Sequence, residues 1–130
     1  MADYMDITVL LVEDDQFNRL LLGQLFQIME IKHDEACDGT QAIELAKLKE
    51  YDLILMDITM PVMDGYESAR KIREMPGYHD KTIIALTADI SEKVRKEVES
   101  GLFTDFNLKP IDPDELQQKI IEIANNKSDG

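Results

Sequence analysis

One cysteine and two histidines leave this chain few ways to cross-link itself or to hold a soft metal. Cys37 has no partner, which excludes an internal disulfide and a multi-cysteine zinc site. It reads as a small buried or half-buried thiol, and a cytoplasmic setting follows as the default. His33 and His79 lie far apart without metal-ligand spacing, so both read as ordinary surface or turn histidines. Cations are scarce too: 14 Lys and Arg stand against 27 Asp and Glu, a net charge of −13. That balance argues against direct binding to nucleic acid, which needs clustered Lys and Arg, and disfavours an anionic membrane surface. No apolar run approaches the roughly 20 residues that span a bilayer. The first six residues hold no basic region followed by an apolar stretch, so no secretory signal is expected. Repeats, low-complexity tracts and Pro/Gly/Ser linkers are missing as well. A single domain over residues 1–130 is expected, with a core at about 7–124 and loose ends at 1–6 and 125–130.

What is present is an alternation of two patterns. Nearly continuous apolar runs at 7–12, 53–56 and 82–86 are too short for helices and read as strands buried on both faces. Weaker strands are expected at Lys32–Ala36 and 104–108. Between them the spacing is helical. Phe17, Leu20, Leu21, Leu25, Ile28 and Met29 form one broad apolar face. Ala42, Ile43 and Ala46, then Ala69 and Ile72, then Leu116, Ile120, Ile123 and Ala124 form narrower ones. Asp112-Pro113-Asp114-Glu115 predicts a helix start, with Asp at the cap and Pro in the first position. Asp64-Gly65 predicts a turn or a helix start. The helix predicted at 91–100 carries only Val94 and Val98, continued by Leu102, with Glu92 and Lys96 placed to pair along its surface. Such a weakly anchored helix is a candidate for motion. Met60, Met63 and Met75 read as loop and core filler. Five strand–helix units of this kind predict an α/β fold with a parallel sheet covered on both faces and right-handed crossovers.

The chemistry lies at the strand ends. Glu13, Asp14 and Asp15 come after the first strand, Asp57 after the third, Thr87 after the fourth and Lys109 near the end of the fifth. In a parallel sheet these ends share one edge, where ligands bind. Packing of a core requires no such gathering of carboxylates, a hydroxyl and an ammonium. Crowded carboxylates repel unless a cation neutralises them, and an all-oxygen donor set suits Mg²⁺. A carboxylate beside Mg²⁺ can attack phosphorus, with Lys109 and Thr87 placed to serve the other phosphoryl oxygens.

These residues resemble the receiver domains of bacterial response regulators. The resemblance rests on Val12-Glu13-Asp14-Asp15, the run from Met56-Asp57 through Met60-Pro61 to Asp64-Gly65, Leu86-Thr87-Ala88, and Lys109-Pro110, in that order. It covers residues 7–124. It implies a doubly wound, flavodoxin-like arrangement with strand order 2-1-3-4-5, and a two-component phosphorelay role. Asp57 would accept the phosphoryl group from a histidine kinase or histidine phosphotransfer protein. Asp14 would bind Mg²⁺ directly, Glu13 through water and Thr59 through its backbone carbonyl. Thr87 would contact the phosphoryl group and Lys109 would pair with Asp57. A cis Lys109–Pro110 bond is also implied. The chain would act as a switch rather than an enzyme on other substrates. Its 91–124 face, made of the fourth helix, fifth strand and fifth helix, would meet a downstream protein.

The text from Val12 to Arg19, with the loop after Asp57, looks most like receivers attached to hybrid histidine kinases, many of which carry Asn where this chain has Asp15. Asp15 either adds charge near the metal or caps the first helix, and the cap is favoured. Phe106 lies where the family's switch ring swings inward with Thr87. It equally reads as a buried strand aromatic. Asn107 replaces a commonly apolar residue and reads as an edge or surface position. Asp89 and Thr59 occupy positions that tune hydrolysis in the family. Two rivals are weaker. A haloacid-dehalogenase-like phosphatase wants a second Asp where Thr59 stands, and a flavodoxin-like carrier wants a Ser/Thr/Gly-rich loop where Glu13-Asp14-Asp15 stand.

Overall fold

The computed structural model describes residues 6–59 and 64–129. The expectations for Met60 and Met63, for the chain start before Asp6 and for Gly130 lie outside the described residues. Five strands, β1 (Thr8–Val12), β2 (Lys32–Ala36), β3 (Leu53–Asp57), β4 (Thr82–Thr87) and β5 (Asp105–Leu108), alternate with five helices. These are α1 (Gln16–Ile28), α2 (Gly39–Leu48), α3 (Gly65–Arg73), α4 (Glu92–Glu99) and α5 (Pro113–Asp129). All pairings are parallel and the order is β2-β1-β3-β4-β5, as the resemblance implies.

Burial explains the order. β3 is buried at every position and sits at the centre, while the polar β2 lies at an edge. Alternate residues of the central strands feed two cores. Leu10, Val12, Ile54 and Met56 meet Ala42, Ala46, Ala69, Ile72 and Val94 from α2, α3 and α4. Val9, Leu11, Leu53 and Leu55 meet Leu22, Phe26, Leu116 and Ile120 from α1 and α5. The helix starts are capped by side chains as predicted: Asp15, Asp64 and Asp112 accept N–H bonds from Asn18, Glu67 and Asp114. Asp15 therefore acts as a cap. Among the described residues no helix is long and apolar enough to cross a membrane.

Several expectations are overturned. The broad apolar face assigned to α1 is buried only in part: Met29 is buried and Leu25 packs against the core, while Phe17, Leu20, Leu21 and Ile28 are exposed. Leu22 and Phe26 point inward with Met29, whereas Phe17 is 64% exposed, Leu20 59% and Ile28 80%. The helix carries more apolar residues than one sheet contact can cover, so its periodicity alone does not fix its rotation. Cys37 is exposed, because it leaves the edge strand β2 in the turn to α2, where its N–H and thiol both bond Gln41 Oε1. Asn107 is buried although its strand is at the sheet edge. Lys119 of α5 reaches its Oδ1 at 2.8 Å and the Phe106 carbonyl at 2.8 Å. His33 is half-buried against the Phe26 ring, and only His79 is an exposed turn histidine. Residues 125–129, expected to be loose, continue α5, and Lys127 ties that end to Asp52 and the Asp6 carbonyl.

Candidate functional site

The parallel register brings the C-terminal ends of β1, β3, β4 and β5 to one edge. Val12 sits opposite Met56, Asp57 opposite Leu86, and Thr87 opposite Leu108. The next residues along β1 and β5 are Glu13 and Lys109, so the convergence follows from strand order alone. The Lys109–Pro110 bond is cis.

Glu13, Asp14 and Asp57 each offer a carboxylate oxygen within 4.8 Å of the others. Glu13 and Asp57 are buried and Asp14 is exposed, so the cluster opens to solvent on one side. Lys109 Nζ lies 2.9 Å from Glu13 Oε1 and 3.1 Å from Asp57 Oδ2. The Thr59 N–H donates to Asp57 Oδ1 at 3.0 Å. Thr87 is buried at the end of β4, its hydroxyl donating to the Asp89 carbonyl at 2.7 Å. Phe106 stands opposite Ala85, two positions before Thr87 along β4, half-buried against the core that Val94 of α4 also joins and outside the carboxylate cluster. Gly65 packs directly against the backbone of Asp57 and Ile58. A Cβ there would lie 2.6 Å from the Asp57 carbonyl oxygen and 2.6 Å from Ile58 Cα, backbone atoms that have no room to yield.

The electrostatics are unbalanced. Burial, and then the neighbouring Glu13, push the Asp57 pKa up to about 7, against the pull of the Thr59 N–H and Lys109. Burial also pushes Glu13 upward, but its hydrogen bonds with Asp57 and Lys109 outweigh it and hold that carboxyl below its ordinary value. Burial lowers Lys109, yet the two carboxylates prevail and raise it. The two buried carboxylates therefore titrate as a pair, and burial beside Glu13 disfavours the ionised form of Asp57. One ammonium does not neutralise three acids. The oxygen-only donors, their spacing and this excess negative charge fit a hard divalent cation.

Two further residues at this site were not among the expected ones. Asn18 Nδ2 donates to Glu13 Oε1 at 3.2 Å. Arg19 Nη1 donates to the backbone carbonyls of Glu13, at 2.8 Å, and Asp14, at 3.0 Å. Both stand about one helical turn after the acids, a spacing that lets them reach back to the loop but does not by itself mark them.

The profile of the response regulator receiver domain matches residues 9–121. The signal transduction histidine-protein kinase BarA of Escherichia coli K12 is 36% identical over 116 residues, 88% of this chain but 12% of that kinase. The chain thus spans about an eighth of such relatives. The receiver domain of sensor histidine kinase PA1611 from Pseudomonas aeruginosa PAO1 superposes with a TM-score of 0.83 at 32% identity, over 92% of this chain and 98% of that one. That structure has a magnesium ion coordinated in its active-site cleft. The Saccharomyces cerevisiae Ssk1 receiver domain, co-crystallised with the histidine phosphotransfer protein Ypd1, gives 0.85 at 29% identity, over 93% and 90%.

Proposed function

This chain belongs to the response regulator receiver domains, and from that premise we propose that it takes a phosphoryl group onto Asp57 from a phosphohistidine. The observation that carries the reading is the meeting of Glu13, Asp14 and Asp57 with Lys109 at one sheet edge.

In the transfer, an Asp57 carboxylate oxygen forms the new bond to phosphorus as the phosphorus–nitrogen bond to the donor imidazole breaks. The electron pair leaves with that nitrogen, which then takes a proton from solvent. Asp57 must be ionised to attack, and a cation beside it favours the ionised form. Asp14, Asp57 and the Thr59 carbonyl would hold Mg²⁺ directly, with Glu13 holding it through water. Mg²⁺ bound there supplies the charge that screens Asp57 from the incoming phosphoryl oxygens. Lys109 stabilises one of those oxygens and the Thr87 hydroxyl, once turned from Asp89, another.

The donor would be a histidine kinase or histidine phosphotransfer protein, as for the relatives. The exposed apolar stripe of α1 supports a seat for it. Phe17, Leu20 and Leu21 begin within a turn of the acids. Leu21 and Leu25 continue into a cleft of about 180 Å³ against Pro110, Ile111 and Pro113, which Glu13 and Lys109 also line. A donor helix carrying a histidine must lie across this rim to reach Asp57. Output would leave through the 91–124 face, where the Thr87 hydroxyl is bound to the loop before α4 and Phe106 joins the core that Val94 of α4 enters. The product stays on the chain, so the role is that of a signalling switch.

Intact mass after incubation with Mg²⁺ and acetyl phosphate tests the reading. A gain of one phosphoryl group is expected, lost without Mg²⁺ and lost in Asp57→Asn. An equal gain in Asp57→Asn would sink it.

A further inference from the structure

The turn between β1 and α1 carries two of the three acids, and its backbone is held in an unusual way. Glu13 has every polar group engaged. Its N–H donates to the Ala36 carbonyl at 3.0 Å, and its carboxylate accepts from Lys109, Asn18 and the Asp15 N–H. Its own carbonyl accepts from Arg19, as does the carbonyl of Asp14. One guanidinium nitrogen therefore fixes two consecutive peptide planes. Their carbonyls face Arg19, and the two side chains leave the turn toward Asp57.

Asp14 needs this more than Glu13 does. Its carboxylate is exposed, so the packing that fixes Glu13 does not fix it. An exposed acid at the start of a helix samples several rotamers and backbone settings, and each one lost on binding a cation weakens that binding. Pinning the two carbonyls removes backbone freedom before any ligand arrives.

We propose that Arg19 is a positioning residue, which orients the Glu13–Asp14 pair for a divalent cation through their backbone carbonyls without touching the cation or the phosphoryl group. The inference rests on the metal-site reading above. It opposes simple electrostatics in sign. A cation behind an acidic site lowers its attraction for another cation, so charge alone says that removing Arg19 tightens Mg²⁺ binding. Positioning says that removal weakens it. Glu35 is the charge control, since its Oε1 lies 4.0 Å from Arg19 Nε, on the guanidinium rather than on the turn's carbonyls.

Calorimetric titration of the whole chain with magnesium chloride decides between them, beside thermal unfolding in Mg²⁺-free buffer. Arg19→Met should bind Mg²⁺ roughly tenfold more weakly than wild type, the range seen when groups that orient metal ligands are removed. Arg19→Gln, equally neutral but with one amide donor, should fall between the two. Glu35→Gln should match wild type. Wild-type binding with Arg19→Met and Arg19→Gln both as tight or tighter overturns the clamp and leaves the metal site standing. No Mg²⁺ binding by wild type overturns both. If Arg19→Met unfolds, the order of Arg19→Gln against wild type still decides the sign.

Discussion

The Asp57 carboxyl carries a consequence that a simple titration of stability reveals. In the folded chain without metal it keeps its proton up to about pH 7, against an ordinary value of 3.8. Between those limits the folded state binds more protons than the unfolded one, so this group lowers stability as pH rises, and the loss is complete above the folded value. Glu13 works the other way, but only below its ordinary value of 4.5. Asp57→Asn cannot ionise. Urea unfolding in Mg²⁺-free buffer should show the variant more stable than wild type by about 1–3 kcal/mol at pH 8, with the gain shrinking toward pH 5. A gain of equal size at both pH values would contradict the raised carboxyl. Single residues are also the most legible part of the sequence. Glu13, Asp14, Asp57, Thr87 and Lys109 stand out because strand ends in a parallel sheet must meet. Arg19 and Asn18 do not, since a hydrogen bond from a side chain back to its own turn leaves no trace in composition or period.

Among the elements, α1 departs most from its sequence pattern. Its apolar residues run nearly all around the helix, and which of them face the sheet is decided by packing against β1 and β2, information held elsewhere in the chain. Phe26 and Leu22 win the interior, and the stripe through Phe17, Leu20 and Ile28 is left outside. If that stripe seats the phosphodonor, charge placed on it should block one reaction and spare the other. Phe17→Glu with Leu20→Glu is expected to alter stability little, as exposed substitutions generally do. Labelling by acetyl phosphate should stay within about twofold, while transfer from a phosphorylated histidine phosphotransfer protein should slow by roughly tenfold or more, as when interface anchors are lost. Equal slowing of both reactions would contradict a docking role. The helix α4 follows its pattern more faithfully. Its narrow stripe, with Val94 buried and Val98 at the margin, and its Glu92–Lys96 pair at 3.7 Å both appear as expected. Asn107 lies in an edge strand, as expected, but not at the surface: Lys119 from α5 reaches its Oδ1, while its Nδ2 is buried without a partner among the described residues.

For the molecule as a whole, the parallel sheet and its two-sided burial are legible in short apolar runs alternating with helical segments, even though β2 shows a single buried position. The strand order is not contained in those runs and came with the resemblance. That order, which builds two cores, also delivers acids, hydroxyl and ammonium to one edge. Switching would then link that edge to the 91–124 face. Phosphorylation should move amide resonances at 91–106 well beyond those of α2, in spectra recorded with and without acetyl phosphate. Shifts confined to the loops around Asp57 would contradict that route.

The central claim is that Asp57 itself carries the phosphoryl group, and reductive trapping tests it most directly. Borohydride converts an aspartyl phosphate to homoserine, which peptide mass spectrometry places in the chain. After labelling with Mg²⁺ and acetyl phosphate, homoserine is predicted at position 57 and at no other acid of the cluster. Homoserine at position 14, or a reduced side chain at Glu13 instead, would contradict the account.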